Sequence, residues 1–293
     1  MRLCKPSYEI LEQQPGLEGI YEAIERAGRT CYKSKRPDGQ TAKNFVDRMI
    51  ASKHYAMLEH GTVYLKIPKG TYAYSHYVVV CEPDDDFFSN SYELAYRPYT
   101  KVNIQEDYIY VTTNLRVLQE HNWLDDLKYL CEPTEYHEKR VTVRFTTGVD
   151  ISREFNRHRV NSMAEQSTRY CNFSKDKFNS EITCIIPHAY LESNAMGGMD
   201  TEDIDVFCKA LKQSEKAYFK LLELGWKPED ARKVLPLDLA TELVHTAFVS
   251  DWGHLCRLRS SFAETGQPHP DMKALVDPLL KEFISRGYLE PLV

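Results

Sequence analysis

Apolar residues recur at helical spacing in several segments of the chain. Residues 41–54 show the pattern clearly, because Phe45, Met49 and Ile50 fall on one helical face. Similar spacing predicts helices over residues 17–27, 115–130, 203–224, 239–249 and 272–283. A short helix is predicted after Pro228, which the first helical turn tolerates, and Pro236 ends it.

Runs rich in β-branched and aromatic residues predict strands at residues 62–67, 77–81, 108–113 and 140–146. Asp150 is predicted to cap a helix that begins at Ile151. Strands and helices are segregated rather than alternating. The pattern therefore favours an α+β fold, with an antiparallel or mixed sheet packed against long helices and a helical C-terminal half.

The chain has 293 residues, 42% of them hydrophobic, and is large enough to form one or two domains. Folding a chain of this size buries roughly 75% of the surface of the extended form. Met1 to Pro6 leads into polar sequence, and no apolar run approaches the ~20 residues of a transmembrane helix. We therefore expect a soluble cytoplasmic protein.

The cysteines and histidines are dispersed along the chain. No two cysteines form a CxxC pair, and no HxxxH or HExxH sequence occurs. The sequence therefore predicts no metal site.

Positive charge is concentrated in one place, although the formal net charge of the chain is −6. Residues 157–170 read RHRVNSMAEQSTRY, without glycine or proline. If the whole stretch were one helix, His158, Glu165 and Arg169 would share a narrow arc. A surface helix with a solvated charged face is the simplest interpretation.

Arg157 and Arg159 flank His158 with no acidic residue close behind them. Because like charges repel, an anion is the natural partner, and a guanidinium matches two phosphate oxygens in a planar fork. Glu165 then serves as an acceptor for ribose hydroxyls or as a counter-ion for an arginine. These residue types suit a nucleotide, or two nucleotides side by side.

The spacing of these residues resembles the signature of the flavin-dependent thymidylate synthases. The signature is an Arg-His-Arg triplet followed, after seven intervening residues, by a serine, here residues 157–159 and Ser167, and it is extended by Glu165, Arg169 and Tyr170. Other stretches resemble the family in the same order: RTCY at 29–32, MLEHGTVYL at 57–65, ARKVLPLDL at 231–239 and RLR at 257–259. The resemblance implies a single catalytic domain over residues 1–293, with an atypical insertion at about 68–138.

The resemblance implies that the protein methylates dUMP to dTMP. The carbon would come from 5,10-methylenetetrahydrofolate, and NADPH would supply the electrons through FAD. It also implies a homotetramer whose sites are built from several subunits. The substrates and cofactor carry phosphate or carboxylate groups, so the arginines would be their counter-ions.

The resemblance also assigns roles to individual residues. The residues implied for dUMP are Glu154, Arg157, Glu165, Gln166, Ser167, Thr168, Arg169, Arg232 and Arg259. The residues implied for FAD are Glu59, Arg157, His158, Arg159, Glu165 and His254. Arg259 is the expected catalytic residue, because a guanidinium beside uracil stabilises negative charge that develops on the ring.

The chain also departs from the family pattern. Phe248, Val249 and Ser250 stand where the family commonly has Asn-Ala-Arg against the flavin, and His254 replaces a later asparagine. The insertion is rich in aromatic residues, which we expect to pack in a core or an interface. The members named for this role are Tyr72, Tyr74, Tyr77, Phe87, Phe88, Tyr92, Tyr96 and Tyr99.

Several alternatives stay open on the sequence alone. A hydroxymethylase would use the same residues, and a thiol-dependent synthase would need a nucleophile such as Cys171. A nucleic-acid-binding module would use the arginines on phosphates, which the acidic net charge disfavours. Arg232 could instead pair with Glu229 or Asp230 on the surface, and Cys31 could be an ordinary buried residue.

Overall fold

The computed structural model describes residues 1–68, 97–188, 190–191, 201–264 and 266–292. Its helices are α1 Gly16–Tyr32, α2 Ala42–Ala51, α3 Leu115–Glu120, α4 Val149–Phe155, α5 Thr201–Glu223, α6 Pro228–Ala231, α7 Val249–Arg259 and α8 Pro270–Ser285. Its strands are β1 Arg2–Cys4, β2 Ser7–Leu11, β3 Thr62–Pro68, β4 Lys101–Ile104, β5 Tyr108–Asn114, β6 Arg140–Gly148, β7 Ser162–Glu165, β8 Thr183–Ile185 and β9 Ala240–Phe248. The predicted α+β class is confirmed.

An antiparallel sheet in the order β2-β6-β9-β7 lies at the centre of the described structure. Its long pair, β6 and β9, runs in register from Arg140 opposite Phe248 to Gly148 opposite Ala240. Because side chains alternate along a strand, Val143 and Phe145 share one face. That face packs against α4, α7 and α8 in a core that contains Phe155, Trp252 and the apolar side of α8. This packing fixes α4 and α7 on the same side of the sheet.

The opposite face of the central sheet is covered by α1 and by a second sheet, β3-β5-β4. Ile24 of α1, Val63 and Leu65 of β3, and Val111 of β5 share this core with Val244 of β9. The described part of the predicted insertion therefore packs into the same core as the N-terminal half. A third, smaller cluster joins α5 to the parallel pair β1-β8 through Leu211, Tyr218 and Cys184.

One predicted helix is wrong. Within the predicted span 239–249, Ala240–Phe248 form β9, the central strand that pairs with both β6 and β7. Residues 243–248 are all buried, because one core covers one face of the strand and another core covers the other. A strand buried on both faces loses the alternating pattern that identifies strands, so its apolar run resembles a helix. The C-terminal half is thus helical around a buried strand.

The arginine-rich stretch is also not one helix. Helix α4 ends at Phe155, turns follow, and residues Ser162–Glu165 form the edge strand β7. Pairing with β9, from Ser162 opposite Thr246 to Glu165 opposite Leu243, overrides the local helical pattern. His158 and Glu165 therefore meet their partners through the fold and not through a helical face.

Two further boundaries differ from prediction. The helix predicted over 115–130 ends at Glu120, because Asn122 adopts a left-handed conformation with φ of 58°, and a 3₁₀ turn at Leu124–Tyr129 follows. The N-cap of α4 is Gly148, and Asp150 lies inside the first turn. A β-carbon at Gly148 would lie 2.3 Å from Asp150 Oδ1, the end of a side chain that can rotate away, and 3.4 Å from Leu237 O.

The helices predicted over 17–27, 41–54, 203–224 and 272–283 are confirmed, as are the strands over 62–67, 108–113 and 140–146. The strand predicted over 77–81 and the predicted aromatics Tyr72, Tyr74, Tyr77, Phe87, Phe88, Tyr92 and Tyr96 lie outside the described residues. Tyr99 is described and packs against the core that α1 shares with β3, as predicted. No helix in the described ranges is long and apolar enough to cross a membrane.

Candidate active site

The carboxylate of Glu154 and the guanidinium of Arg259 meet between two helices. Helix α4 follows β6 and carries Glu154, and α7 follows β9 and ends at Arg259. Because β6 and β9 are antiparallel, α7 runs back over the shared sheet face toward α4. Arg259 Nη1 donates a hydrogen bond to Glu154 Oε2 at 2.7 Å, and the two side chains are 20% and 29% exposed.

His158 supplies a second acceptor for the same guanidinium. Arg259 Nε donates to His158 Nε2 in a long hydrogen bond of 3.4 Å. Burial, the Arg259 charge and nearby His254 together lower the pKa of His158 to about 4. The imidazole is therefore neutral near pH 7, and its Nε2 lone pair is available to accept. His254, on the exposed side of α7, stands edge-to-face with His158 at 6.4 Å between ring centroids.

Glu165 joins strand β7 to helix α4. Its Oε1 accepts from Ser152 Oγ at 2.7 Å and from Thr241 Oγ1 at 3.2 Å, and its Oε2 accepts from Asn156 Nδ2 at 3.4 Å. None of the described arginines pairs with this carboxylate, so within the described residues Glu165 is not an arginine counter-ion, which was one of the two roles that the sequence suggested. Its position fixes the start of the following loop relative to α4.

That loop contains four of the predicted dUMP residues, Gln166, Ser167, Thr168 and Arg169. Gln166 and Ser167 hold its start through backbone N–H bonds to Glu242 O at 2.8 Å and Cys31 O at 2.9 Å. Ser167 Oγ accepts from the Arg169 N–H at 3.2 Å, which closes a tight turn. Contacts within the protein therefore define the shape of the loop.

Arg232 reaches the loop from the 3₁₀ turn after α6. Its Nη1 donates to Thr168 Oγ1 at 2.9 Å, and its Nε donates to Glu229 O at 3.2 Å. The neighbouring Arg169 pairs with the Glu229 carboxylate at 2.8 Å. Two guanidinium groups thus converge beside the backbone of one turn, which is an arrangement suited to a phosphate group. The sequence suggested Glu229 and Asp230 as surface ion-pair partners of Arg232. In the structure these carboxylates pair with Arg169 and Lys233 instead.

Arg157 and Arg159 project from the turns after α4. Both are exposed, and neither forms an ion pair with a carboxylate of the described residues. Two cations that share no protein counter-ion, on either side of His158, fit the diphosphate of a dinucleotide such as FAD. The residues present are therefore compatible with the cofactor that the sequence resemblance implies.

Glu59 lies in a different environment, at the far end of the central sheet. Its side chain is almost buried and pairs with Arg116 of α3, while Arg140 Nη1 donates to its backbone oxygen at 3.0 Å. Arg116 also pairs with Glu120 at 2.9 Å. Within the described residues no hydrogen bond or ion pair joins Glu59 to the Glu154–Arg259 pair, so a ligand that touches both would have to extend between them.

The two cysteines nearest the loop are poor nucleophiles. Cys171 is fully buried and its thiol points at Cys31 O, 3.9 Å away. Burial raises the pKa of Cys171, and burial raises the pKa of Cys31 to about 11. Both thiols are protonated near neutral pH, which argues against the thiol-dependent alternative.

The sequence did not identify several residues that organise the site. Ser152 and Asn156 hold Glu165 from one face of α4, since they are four residues apart. Thr241 and Glu229 hold the other side of the loop. The i, i+4 spacing on α4 was a usable signal, whereas the other two contacts depend on tertiary structure. No group of three or more metal-ligating side chains occurs in the described parts of the chain.

Comparison with known proteins agrees with the resemblance seen in the sequence. The family described as "Thymidylate synthase complementing protein" matches residues 133–285, which include every candidate residue except Glu59. The flavin-dependent thymidylate synthase of Pyrococcus abyssi (strain GE5 / Orsay) is 28% identical over 137 residues, which cover 47% of this chain and 51% of the relative. The match thus spans about half the length of that relative. The stretches at 29–32 and 57–65 lie outside the family match.

Two solved structures show a distant likeness. The UMP/dUMP methylase PolB from Streptomyces cacaoi bound with 5-Br dUMP is 15% identical with a TM-score of 0.45, and the match covers 99% of this chain and 100% of that chain. The same methylase bound with 5-Br UMP is 14% identical with a TM-score of 0.46, and the match covers 99% of each chain.

Proposed function

Because the chain belongs to the thymidylate synthase complementing protein family, we propose that it is a methyltransferase, a flavin-dependent thymidylate synthase. In the proposed reaction dUMP, 5,10-methylenetetrahydrofolate, NADPH and a proton give dTMP, tetrahydrofolate and NADP⁺. Bound FAD would supply hydride chemistry that side chains cannot perform. The curated relative is named for a flavin-dependent reaction, which supports a flavin cofactor.

The observation that carries the proposal is the position of Arg259. Its guanidinium is held at Nη1 and Nε by Glu154 and His158. Its Nη2 has no hydrogen-bond partner among the described residues. This nitrogen is not fully buried, so a ligand can reach it. A donor fixed in this way can stabilise negative charge on a carbonyl oxygen of the pyrimidine, which makes carbon 5 more nucleophilic.

The loop after β7 would hold the nucleotide. Arg169 and Arg232 would bind the phosphate of dUMP, assisted by Thr168 and the backbone N–H groups of the turn. Gln166 and Ser167 would complete this contact, and Glu165 would keep the loop at a fixed distance from α4. Arg157, Arg159 and His254 would face the FAD phosphates and ring system. Glu59 lies at the far end of the central sheet, so it would contact the cofactor only where the cofactor reaches that end.

The test is a reconstituted assay. The purified protein is incubated with dUMP, 5,10-methylenetetrahydrofolate, FAD and NADPH, and the nucleotide products are separated and identified by mass. We expect dTMP in the complete mixture and none without FAD. A hydroxymethylated nucleotide as the only product, or no modified nucleotide at all, would contradict the proposal. We further propose a homotetramer, and sedimentation of an active monomer would contradict that part.

A further inference from the structure

The Glu154–Arg259 ion pair connects two helices rather than two surface side chains. The residues are 105 positions apart in sequence, and both side chains are mostly shielded from water. Glu154 stands on α4 beside Phe155, which is fully buried against Phe145 at 4.3 Å between ring centroids. Arg259 closes α7 beside Ser260, which is also fully buried. The backbones that carry this pair are therefore anchored in the core.

An arginine side chain has many rotamers and loses entropy when one of them is fixed. A guanidinium at the end of a helix would therefore sample several positions unless something restrained it. Glu154 restrains Nη1 and His158 restrains Nε, from two different directions. The planar group is then left with an Nη2 donor that has no hydrogen-bond partner among the described residues. Such restraint matters for catalysis, because a donor contributes fully only when it already points at the developing charge.

We propose that Glu154 and His158 are positioning residues, which act on the reaction by holding Arg259 and not by contacting the pyrimidine. The proposal rests on the function proposed above, and it changes the role that resemblance gave to these two residues. Glu154 lies where a nucleotide contact was expected, yet its carboxylate Oε2 is engaged with the protein's own guanidinium.

Loss of the Glu154 carboxylate has two opposite effects. It frees the guanidinium to move, which lowers the rate, and it removes a negative charge beside Arg259, which would strengthen its field. If positioning dominates, Glu154→Ala lowers kcat by about tenfold to a hundredfold. Glu154→Gln keeps an acceptor oxygen for Nη1, so it should recover most of that loss. The dUMP dissociation constant should stay within about twofold in both variants, because in this role Glu154 makes no substrate contact.

A double-mutant cycle separates positioning from direct contact. Glu154→Ala is measured alone and in an Arg259→Lys background, with kcat and dUMP affinity determined separately. If Glu154 acts through Arg259, its removal has little further effect once the guanidinium is absent. Equal effects in both backgrounds, or a loss of dUMP affinity with kcat unchanged, would overturn the proposal. Glu223→Gln breaks an exposed ion pair with Lys220 and is the matched control.

A spectroscopic readout tests the contact without reference to the reaction. The Nε–H signal of Arg259 in a ¹⁵N–¹H spectrum is assigned by its loss in Arg259→Lys. We expect it to shift in His158→Asn and, to a smaller degree, in Glu154→Gln, while it stays unchanged in Glu223→Gln. An unshifted signal in both site variants would overturn the proposal even if dTMP synthesis is confirmed. Shifted signals in a protein that makes no dTMP would instead locate the failure in the proposed function.

Discussion

The burial of His245 leads us to predict that the free energy of unfolding falls measurably at acid pH. This histidine lies in the part of the fold that carries the site. It lies at the centre of β9, fully buried, between Phe155 of α4 and Trp252 of α7. Neither ring nitrogen has a hydrogen-bond partner in the described structure. Burial, with small contributions from His158 and His60, lowers the pKa of His245 from 6.5 to about 3.

The unfolded chain therefore binds a proton that the folded chain excludes. Above pH 6.5 the titration of His245 costs the protein no free energy of unfolding. As the pH falls toward 3 the free energy of unfolding declines, because the folded state must keep the ring neutral. Between pH 8 and pH 5 the linkage relation gives a loss of about 2 kcal/mol for this one histidine. His60, whose pKa burial also lowers to about 3, adds a similar loss.

The variant His245→Leu removes this titration while it keeps an apolar side chain between the two aromatic rings. Urea unfolding is measured at pH 8 and pH 5 for the wild type and the variant. We expect the wild type to lose about 2 kcal/mol more than the variant between these two pH values. His54→Leu, at an exposed position, is the control for removal of an imidazole. Equal pH dependence in wild type and His245→Leu would refute the reasoning.

Three further predictions concern the loop and its supports. Arg232→Gln removes the charge that Thr168 orients, so the Michaelis constant for dUMP should rise by about tenfold or more with a smaller change in kcat; steady-state kinetics with unchanged constants would contradict this. Glu165→Ala leaves the buried Thr241 hydroxyl without its acceptor, although Ser152 keeps Val149 O, and should destabilise the protein by about 1–3 kcal/mol in urea unfolding. A variant as stable as wild type would show that the contact is dispensable. Cys171→Ala should retain at least half of the turnover, because the thiol is buried and protonated, and complete inactivation of a folded variant would revive the thiol mechanism.

The sequence predicted the elements whose apolar residues repeat on one face. Helices α1, α2, α5 and α8 were found for that reason, whereas β6 was found from its β-branched and aromatic residues. Strand β9 was missed because cores on both of its faces bury residues 243–248, and the alternating pattern disappears. The strand β7 was missed because only its pairing with β9 makes it a strand.

The candidate site shows the same limit. Arg169, Arg232 and the loop were identified as residue types in a recognisable order. The pairing of Glu154 with Arg259 was not predicted, because it depends on antiparallel β6 and β9 returning α7 to α4. Arg116 beside Glu59 was unpredictable for a similar reason, since it comes from the α3 helix of the predicted insertion.

The central claim is that Arg259 stabilises negative charge on the pyrimidine during methylation of dUMP. Single-turnover mixing of the flavin-loaded protein with dUMP and 5,10-methylenetetrahydrofolate, after reduction by NADPH, measures dTMP formation directly. We expect dTMP from the wild type, and from Arg259→Lys a rate lower by about a hundredfold or more with flavin still bound. No dTMP from the wild type, or an equal rate in the variant, would contradict the claim.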